Sequence, residues 1–320
     1  MSAAKSRAVI VAGPTASGKS ALAMALAENF GGVVINADSQ QVYRDLSILT
    51  ARPSAADMAR VPHRLFGVMD AAENCSAGRW LKLALIEIET AQGAGKLPIL
   101  VGGTGLYLEA LLEGLAGLPP IPASARDEAR ALHEKLGAAA FHAAVAELDP
   151  EAAARLAPGD TQRLTRAYEV AKATGQPLSS WQRRQGAPPI ERAAAVVLLP
   201  PRDALYAACE ARVERMMALG AEAEIGALLE RKLSPTLPAM KAVGVRELGA
   251  ARDGSMTREA AVVAMQQATR NYAKRQYTWF RRRLRPTGSL RRTDVNQQFS
   301  ESLLPEIFSF IRQSMLTESA

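Results

Sequence analysis

The chain has 320 residues, of which 48% are hydrophobic and 22% are charged, and this composition excludes the disordered and fibrous classes of protein. Its formal net charge of +7 favours a polyanionic partner such as a nucleic acid, although a mildly basic protein can lack one. The two cysteines, Cys75 and Cys209, form no CxxC pair, which argues against a disulfide framework and against a zinc site.

The N-terminal segment has a basic start, but its apolar stretch is too short for a secretory signal peptide. No apolar run approaches the length that spans a bilayer. We therefore expect a cytoplasmic protein without membrane contact, and a monomer by default.

Three apolar runs in the first third of the chain predict β-strands: AVIVAG, GVVINAD and LPILVGG. Each precedes a segment that is predicted to be helical, namely residues 19–29, SQQVYR and TGLYLEALLEG. Apolar strands that alternate with helices indicate a parallel sheet covered by helices on both faces. Ligands of such sheets bind beyond the carboxyl ends of the strands, so Gly13, Asp38 and Thr104 are expected to converge on one site.

The first strand leads into GPTASGKS, which matches the phosphate-binding loop G-x-x-x-x-G-K-[ST] in full. The loop consists of Gly13, Pro14, Thr15, Ala16, Ser17, Gly18, Lys19 and Ser20. Backbone N–H groups and the helix N-terminus can surround a phosphate there, and Lys19 adds a positive charge. The Ser20 hydroxyl is a candidate ligand for Mg²⁺. The motif thus predicts an α/β fold with a core similar to P-loop NTPases that binds a polyphosphate, without specifying which one.

Two residues at the strand ends have several possible roles. An acidic residue at the position of Asp38 can coordinate Mg²⁺, cap a following helix or take part in chemistry. Thr104 can cap the helix that follows it, whereas its flanking glycines suggest that a ligand approaches the backbone closely. The residue types alone leave these alternatives open.

Prolines in LPPIPAS, at 118–124, interrupt the alternation of strands and helices. The segment that follows has helical spacing and no convincing strand until AAAVVLLPP. We interpret residues 121–189 as an all-helical insertion domain within a catalytic core formed by residues 1–120 and 190–320; a few extra helices packed on the sheet are the alternative. The rest of the core is predicted to be mostly helical, with a loop at 233–247 and a long helix from residue 257, and the C-terminal tail is assigned no role.

Several segments together resemble those of the tRNA dimethylallyltransferases, also called tRNA isopentenyltransferases. In chain order they are GPTASGKS, NADSQQVYRDLSILTARP, VPHRLFGVMD, LVGGTGLY, QRLTRAYEV, GAEAEI, MKAVGVRE and ATRNYAKRQYTWFRR. One departure is DSQQVY, at a position where family sequences vary. Another is Leu49, which follows Ile48 where we expect a glycine, and it affects the expected turn geometry rather than the chemistry.

The resemblance implies transfer of a dimethylallyl group from dimethylallyl diphosphate to the exocyclic N6 of adenosine 37, next to the tRNA anticodon. The phosphate loop would then hold the leaving diphosphate, with Mg²⁺ at Ser20 as the cofactor. Arg212 matches a family arginine that reaches the diphosphate, although a solvated helix arginine is the ordinary alternative. Thr104 matches a family threonine that contacts the substrate, and Asp38 matches the family's general base for the N6 proton.

The resemblance also implies an interface with the anticodon stem-loop, from which the target adenosine must leave its base stack. The residues expected to contact tRNA are Asp38, Ser39, Gln40, Gln41, Thr104, Arg126, Gln162, Arg163, Leu164, Thr165, Arg166, Lys241, Ala242, Val243, Gly244, Val245, Arg246, Lys274, Arg275, Gln276, Tyr277, Thr278, Trp279, Phe280 and Arg281. On the long helix, Arg270, Lys274, Tyr277 and Arg281 share one face. A solvated basic face over a buried aromatic stripe is the ordinary interpretation of that pattern, and the family match favours tRNA binding instead. The insertion domain is expected to contact the anticodon stem.

Three other functions share parts of this pattern. A nucleotide or small-molecule kinase would have the same loop and sheet, but it would turn over ATP and would not need a basic C-terminal third. A prenyltransferase of free adenine nucleotides would share Asp38 but lack the insertion and the AKRQYTWFRR helix. A non-catalytic RNA-binding protein would not need Lys19 and Ser20 together with Asp38.

Overall fold

The computed structural model describes residues 7–184, 186–287 and 289–315, so the basic N-terminal start, residues 1–6, lies outside the described residues. The chain separates into two compact units. One unit contains the residues up to Leu112 together with those from Pro189 onward, and the other is Glu113–Pro188.

The strands of the larger unit are β1 (Arg7–Ala12), β2 (Gly32–Asn36), β3 (His63–Arg64), β4 (Leu97–Gly102), β5 (Arg192–Leu198) and β6 (Leu290–Val295). They form one parallel sheet in the order β3-β2-β4-β1-β5-β6. In the centre, Val9 of β1 lies opposite Ile99 of β4 and Ala194 of β5.

The helices along the whole chain are α1 (Lys19–Phe30), α2 (Ala55–Arg60), α3 (Ala77–Gly93), α4 (Gly105–Glu113), α5 (Ala123–Leu148), α6 (Pro150–Arg155), α7 (Thr161–Thr174), α8 (Leu178–Arg183), α9 (Arg202–Ala218), α10 (Ala221–Glu230), α11 (Val245–Arg252), α12 (Arg258–Arg282) and α13 (Leu304–Met315). Short 3-10 helices lie at Ala239–Lys241 and Glu301–Leu303. None of the helices in the described part of the chain combines the length and the apolarity needed to cross a membrane.

The sheet is buried on both faces because successive side chains of a strand point in opposite directions. Ile10 belongs to a core on one face with Trp80 of α3, whereas Val9 belongs to a core on the other face with Leu22 of α1 and Ile307 of α13. This arrangement confirms the predicted α/β class with helices on both sides of a parallel sheet.

The smaller unit, Glu113–Pro188, is helical, and its described residues include no strand. It begins at Glu113, before the predicted boundary at residue 121. Its core is built around Phe141. The rings of His133 and Phe141 meet edge to face, and the ring of Tyr168 is tilted relative to that of Phe141. A left-handed Gly137, with φ of 73°, interrupts α5.

One expectation about local structure is wrong, and a segment that the sequence left unassigned has a structural role. SQQVYR forms turns rather than a helix, because local side-chain hydrogen bonds compete with helical ones at its start. The C-terminal tail, to which the sequence assigned no role, supplies the edge strand β6 and helix α13. Helix α13 packs in the core that contains Val9 and Leu22. The predicted loop at 233–247 holds a 3-10 turn and the start of α11 at Val245.

Candidate active site

The phosphate loop joins β1 to α1 at the carboxyl end of the sheet, as the motif predicts. Gly13 and Gly18 have φ of 143° and 91°, values that side chains rarely allow. A Cβ at Gly13 would also lie 2.4 Å from the Leu198 carbonyl oxygen of β5. Because α1 begins at Lys19, the N–H groups of its first turn have no intrahelical acceptor and are free for an anion.

Two cations lie close to this loop and to Asp38. Lys19 donates from Nζ to the Pro14 carbonyl at 2.5 Å, and burial lowers the pKa of its ammonium to about 8. Arg212, in α9, donates from Nη2 to the Thr50 carbonyl at 2.7 Å. Burial also lowers the pKa of Arg212, and Asp38 opposes the lowering for both groups. The site thus holds partly desolvated positive charge beside one carboxylate.

Asp38 lies in the turn that follows β2. Its Oδ1 accepts from the Gln40 N–H at 2.9 Å, and its own N–H donates to Oδ1 of Asn36 at 2.8 Å. Thr104, at the end of β4, accepts from the Ser39 N–H at 2.9 Å through Oγ1. These bonds fix the turn against the neighbouring strand end and bring together two of the three segments that the sequence predicted to converge.

A cavity of about 160 Å³ opens beside Asp38. Its polar lining includes Thr15 of the phosphate loop and Arg212, and its apolar lining includes Leu49 and Met265. The remaining lining residues are Gln40, Thr50, Met216, Lys241, Ala242, Val243, Thr269, Tyr272 and Arg275. Burial, aided by the negative charge of Asp38, raises the pKa of Tyr272. The cavity can therefore accommodate an apolar group between a cationic wall and a carboxylate.

Helix α12 fixes the phosphate loop through a residue that the sequence assigned to tRNA. Gln276 is 6% exposed; its Oε1 accepts from the Thr15 N–H at 2.8 Å and its Nε2 donates to the Gly103 carbonyl at 2.9 Å. A Cβ at Gly103 would lie 2.1 Å from that Nε2, and one at Gly105 would lie 2.4 Å from the Trp279 indole. The packing of α12 is thus sufficient to require the glycines that flank Thr104.

Several other residues expected at the tRNA interface belong to the protein interior. Leu164 is 0% exposed in the core of the smaller unit, and Phe280 is 0% exposed in the larger one. Val245 is buried, and Gly244 packs against Leu49. Together with Gln276, these side chains pack inside the protein, so tRNA contact at these positions would have to involve the backbone and stays a prediction.

The remaining basic residues of the predicted interface are mostly solvent-accessible. Those that are exposed in the larger unit are Lys241, Arg246, Lys274, Arg275 and Arg281. Arg270, which lies on α12 with Lys274, Arg275 and Arg281, forms an ion pair with Glu210. In the smaller unit, Arg126 and Arg166 both pair with the buried Glu169, at 3.7 and 2.5 Å, and Arg163 pairs with Asp160.

Three contacts at the site were not predicted from the sequence. Gln298 donates from Nε2 to the Ala16 carbonyl at 2.8 Å, and Phe299 occupies the space beside Gly18, so the C-terminal tail packs on the phosphate loop. Glu224 of α10 accepts hydrogen bonds from the turn that begins at Ser47. In that turn the left-handed residue is Ala51, with φ of 48°, so Leu49 needs no glycine geometry.

The fold and the site together define a phosphate-loop protein in which cations, a carboxylate and an apolar cavity meet at the carboxyl end of a parallel sheet. The family model described as IPP transferase matches residues 41–283, and the model described as isopentenyl transferase matches residues 6–70. The chain belongs to the IPP transferase family, which confirms the resemblance read from the sequence.

Curated relatives and a solved structure agree with this assignment. The chain is 56% identical to a tRNA dimethylallyltransferase of Rhodospirillum centenum over 86% of this chain and 88% of the relative. It is 53% identical to the tRNA dimethylallyltransferase of Rhodospirillum rubrum over 97% of this chain and 95% of the relative. A crystal structure of the tRNA isopentenylpyrophosphate transferase from Bacillus halodurans superposes with a TM-score of 0.68 at 33% identity, covering 97% of both chains.

Proposed function

We propose that this chain transfers a dimethylallyl group from dimethylallyl diphosphate to N6 of adenosine 37 in tRNA, giving N6-(dimethylallyl)adenosine and diphosphate. The observation that carries the proposal is the placement of Asp38 and Arg212 on the wall of one cavity, next to Lys19 and the phosphate loop. Chemistry of this kind needs a stabilised leaving group and a proton acceptor at the same place.

The diphosphate side of the reaction is assigned to the phosphate loop. Lys19, Arg212 and the loop N–H groups would stabilise the negative charge that develops as the carbon–oxygen bond breaks and its electron pair passes to the diphosphate oxygen. Mg²⁺ fits the donor set, because it commonly takes one or two protein oxygens together with substrate phosphates, and the Ser20 hydroxyl is exposed at the first turn of α1. Bound there, Mg²⁺ would add positive charge opposite the leaving group.

The acceptor side of the reaction is assigned to the turn after β2. The N6 lone pair forms the new bond to the allylic carbon, and the N6 proton passes to the Asp38 carboxylate. Thr104 would act beside it, since its hydroxyl already holds Ser39, the next residue of the turn. The target adenosine has to leave its stack, and unstacked bases are commonly held by aromatic and cationic side chains such as Tyr272 and Arg275 at the cavity.

The rest of the tRNA would be held by exposed basic residues, one of which, Lys241, also lines the cavity. Exposed Lys241, Arg246, Lys274 and Arg281 supply the charge for phosphate contacts. The helical unit 113–188 is proposed to contact the anticodon stem, and a monomer is proposed as the working state.

The decisive experiment supplies labelled dimethylallyl diphosphate, Mg²⁺ and undermodified tRNA, and then analyses the nucleosides of the digested tRNA. We expect label in N6-(dimethylallyl)adenosine. In a parallel incubation with ATP in place of dimethylallyl diphosphate, we expect no consumption of ATP. Consumption of ATP with unlabelled tRNA would instead identify a kinase, which the phosphate loop alone also permits. Label in free adenine nucleotides, with tRNA unlabelled, would identify a prenyltransferase of small acceptors.

A further inference from the structure

Glu224, in the first turn of α10, holds a turn that lies far from it in sequence. Its Oε2 accepts from the Ser47 N–H at 2.8 Å and from the Ile48 N–H at 2.7 Å. Its Oε1 accepts from the Leu49 N–H at 2.8 Å. Hydrogen bonds to an ionised carboxylate are stronger than neutral ones, so three successive N–H groups on one carboxylate fix the path of this backbone segment.

The turn that Glu224 holds ends in a carbonyl with two partners. The Thr50 carbonyl accepts from Nη2 of Arg212 at 2.7 Å and from Nε2 of Gln41 at 2.9 Å. Arg212 is the cation assigned to the diphosphate, and Gln41 follows the Asp38 segment. One backbone oxygen therefore fixes a residue on the leaving-group side and a residue on the acceptor side.

The same region has a second tether that does not involve Glu224. Arg231, which follows α10, pairs with Asp45 at 2.5 Å and with Asp70 at 2.6 Å. Helix α10 and the segment after β2 thus remain joined when the carboxylate is removed. The specific contribution of Glu224 is the conformation of residues 47–50, not the attachment of the helix.

We infer that Glu224 is a positioning residue that orients Arg212 and Gln41 through the 47–50 turn. The inference rests on the proposed function, because it gives Arg212 its diphosphate. Loss of the carboxylate leaves N–H groups of the turn without an acceptor, so the turn relaxes and the Thr50 carbonyl no longer holds the guanidinium in one place. We expect the affinity for diphosphate to fall roughly tenfold, as it does when a residue that orients a ligating side chain through a hydrogen bond is removed.

The test compares E224Q with wild type in the full-length chain, using inorganic pyrophosphate with Mg²⁺ as the probe in titration calorimetry. E224Q keeps the shape of the side chain but removes its charge and one acceptor oxygen. The matched control is E222Q, because Glu222 lies on the same helix and pairs instead with Arg258 on the surface. We expect about tenfold weaker binding in E224Q and unchanged binding in E222Q.

A double-mutant cycle with R212A separates positioning from a general loss of stability. If Glu224 acts through Arg212, E224Q in the R212A background costs little further affinity, because the coupled effects are not additive. Additive losses would overturn the inference. E224D keeps the charge on a shorter arm and should recover part of the affinity, whereas losses equal to those of E224Q would also overturn it.

Amide hydrogen exchange reports on the turn without reference to any ligand. Exchange at the Ser47, Ile48 and Leu49 amides should be faster in E224Q than in wild type and in E222Q, and equal rates would contradict the inference. Failure of the wild-type chain to bind pyrophosphate would overturn the proposed function and, with it, this inference, and that failure is visible without any variant.

Discussion

We expect the ammonium group of Lys19 to give diphosphate binding a pH dependence that can be measured apart from catalysis. Burial lowers the pKa of Lys19 to about 8 in the free protein, and a bound diphosphate favours the charged form. The charged form is the one that binds, so its contribution is complete well below pH 8, declines as the pH rises past that value, and is lost only above the higher pKa of the bound state. The relevant window is therefore pH 7 to 9.

The magnitude follows from one titrating group. With a pKa of about 8, Lys19 is about nine-tenths charged at pH 7 and about one-tenth charged at pH 9, so affinity is expected to fall roughly tenfold across the window. Replacing the ammonium by the neutral thioether in K19M should weaken binding at pH 7 by roughly 10- to 100-fold, the cost of a hydrogen bond to a charged group. Between pH 7 and 9 the same variant should change in affinity only by the titration of the ligand itself, without the tenfold loss that the lysine adds in wild type.

The assay is titration calorimetry with inorganic pyrophosphate and Mg²⁺ at both pH values. Pyrophosphate and its magnesium complex titrate on their own account, and K19M carries that titration unchanged, so the comparison isolates the lysine. Equal relative losses in wild type and K19M would refute the reasoning, because the pH dependence would then belong to the ligand or to another group.

Three further predictions test separate parts of the site. D38N keeps an oxygen that can accept from the Gln40 N–H, so tRNA binding should survive while turnover falls by roughly 10²- to 10⁴-fold; a matching loss of tRNA affinity would show that residue 38 is structural. Q276L leaves a phosphate-loop N–H and a strand-end carbonyl unpaired, so chemical denaturation should show a loss of about 2–4 kcal/mol in stability. A change in tRNA affinity without a loss of stability would contradict the role of Gln276 as a buried hydrogen-bonding residue. K274A should reduce the slope of log tRNA affinity against log salt concentration by about one phosphate contact. R270A should leave this slope unchanged, because Arg270 is already ion-paired. Equal slopes for K274A and wild type would remove this face of α12 from the interface.

Local sequence signals determined the catalytic end of the sheet. The phosphate loop is identifiable because its glycines, lysine and serine must occupy fixed positions between a buried strand and a helix, and Gly13 and Gly18 do have the left-handed φ that the motif requires. The apolar strands required a parallel sheet, and a parallel sheet places the residues after its strands on one edge. The sequence alone therefore placed Asp38 and Thr104 at the same edge of the sheet.

Contacts between distant segments were decided only by the tertiary structure. Gln276 lies between the residues of the predicted RNA-binding face of α12, and nothing in that pattern distinguishes a solvated amide from one that binds a loop N–H and a strand carbonyl. Strand β6 was missed because an edge strand is stabilised through its backbone pairing with β5, and its sequence LRRTDV shows little apolar character. Glu224 likewise lies in GAEAEI, one of the segments that carry the family resemblance, but the segment itself does not indicate which backbone groups the carboxylate binds. Each of these contacts binds backbone N–H or carbonyl groups, which every part of the chain offers. The sequence therefore does not indicate the partner, and only the folded structure identifies it.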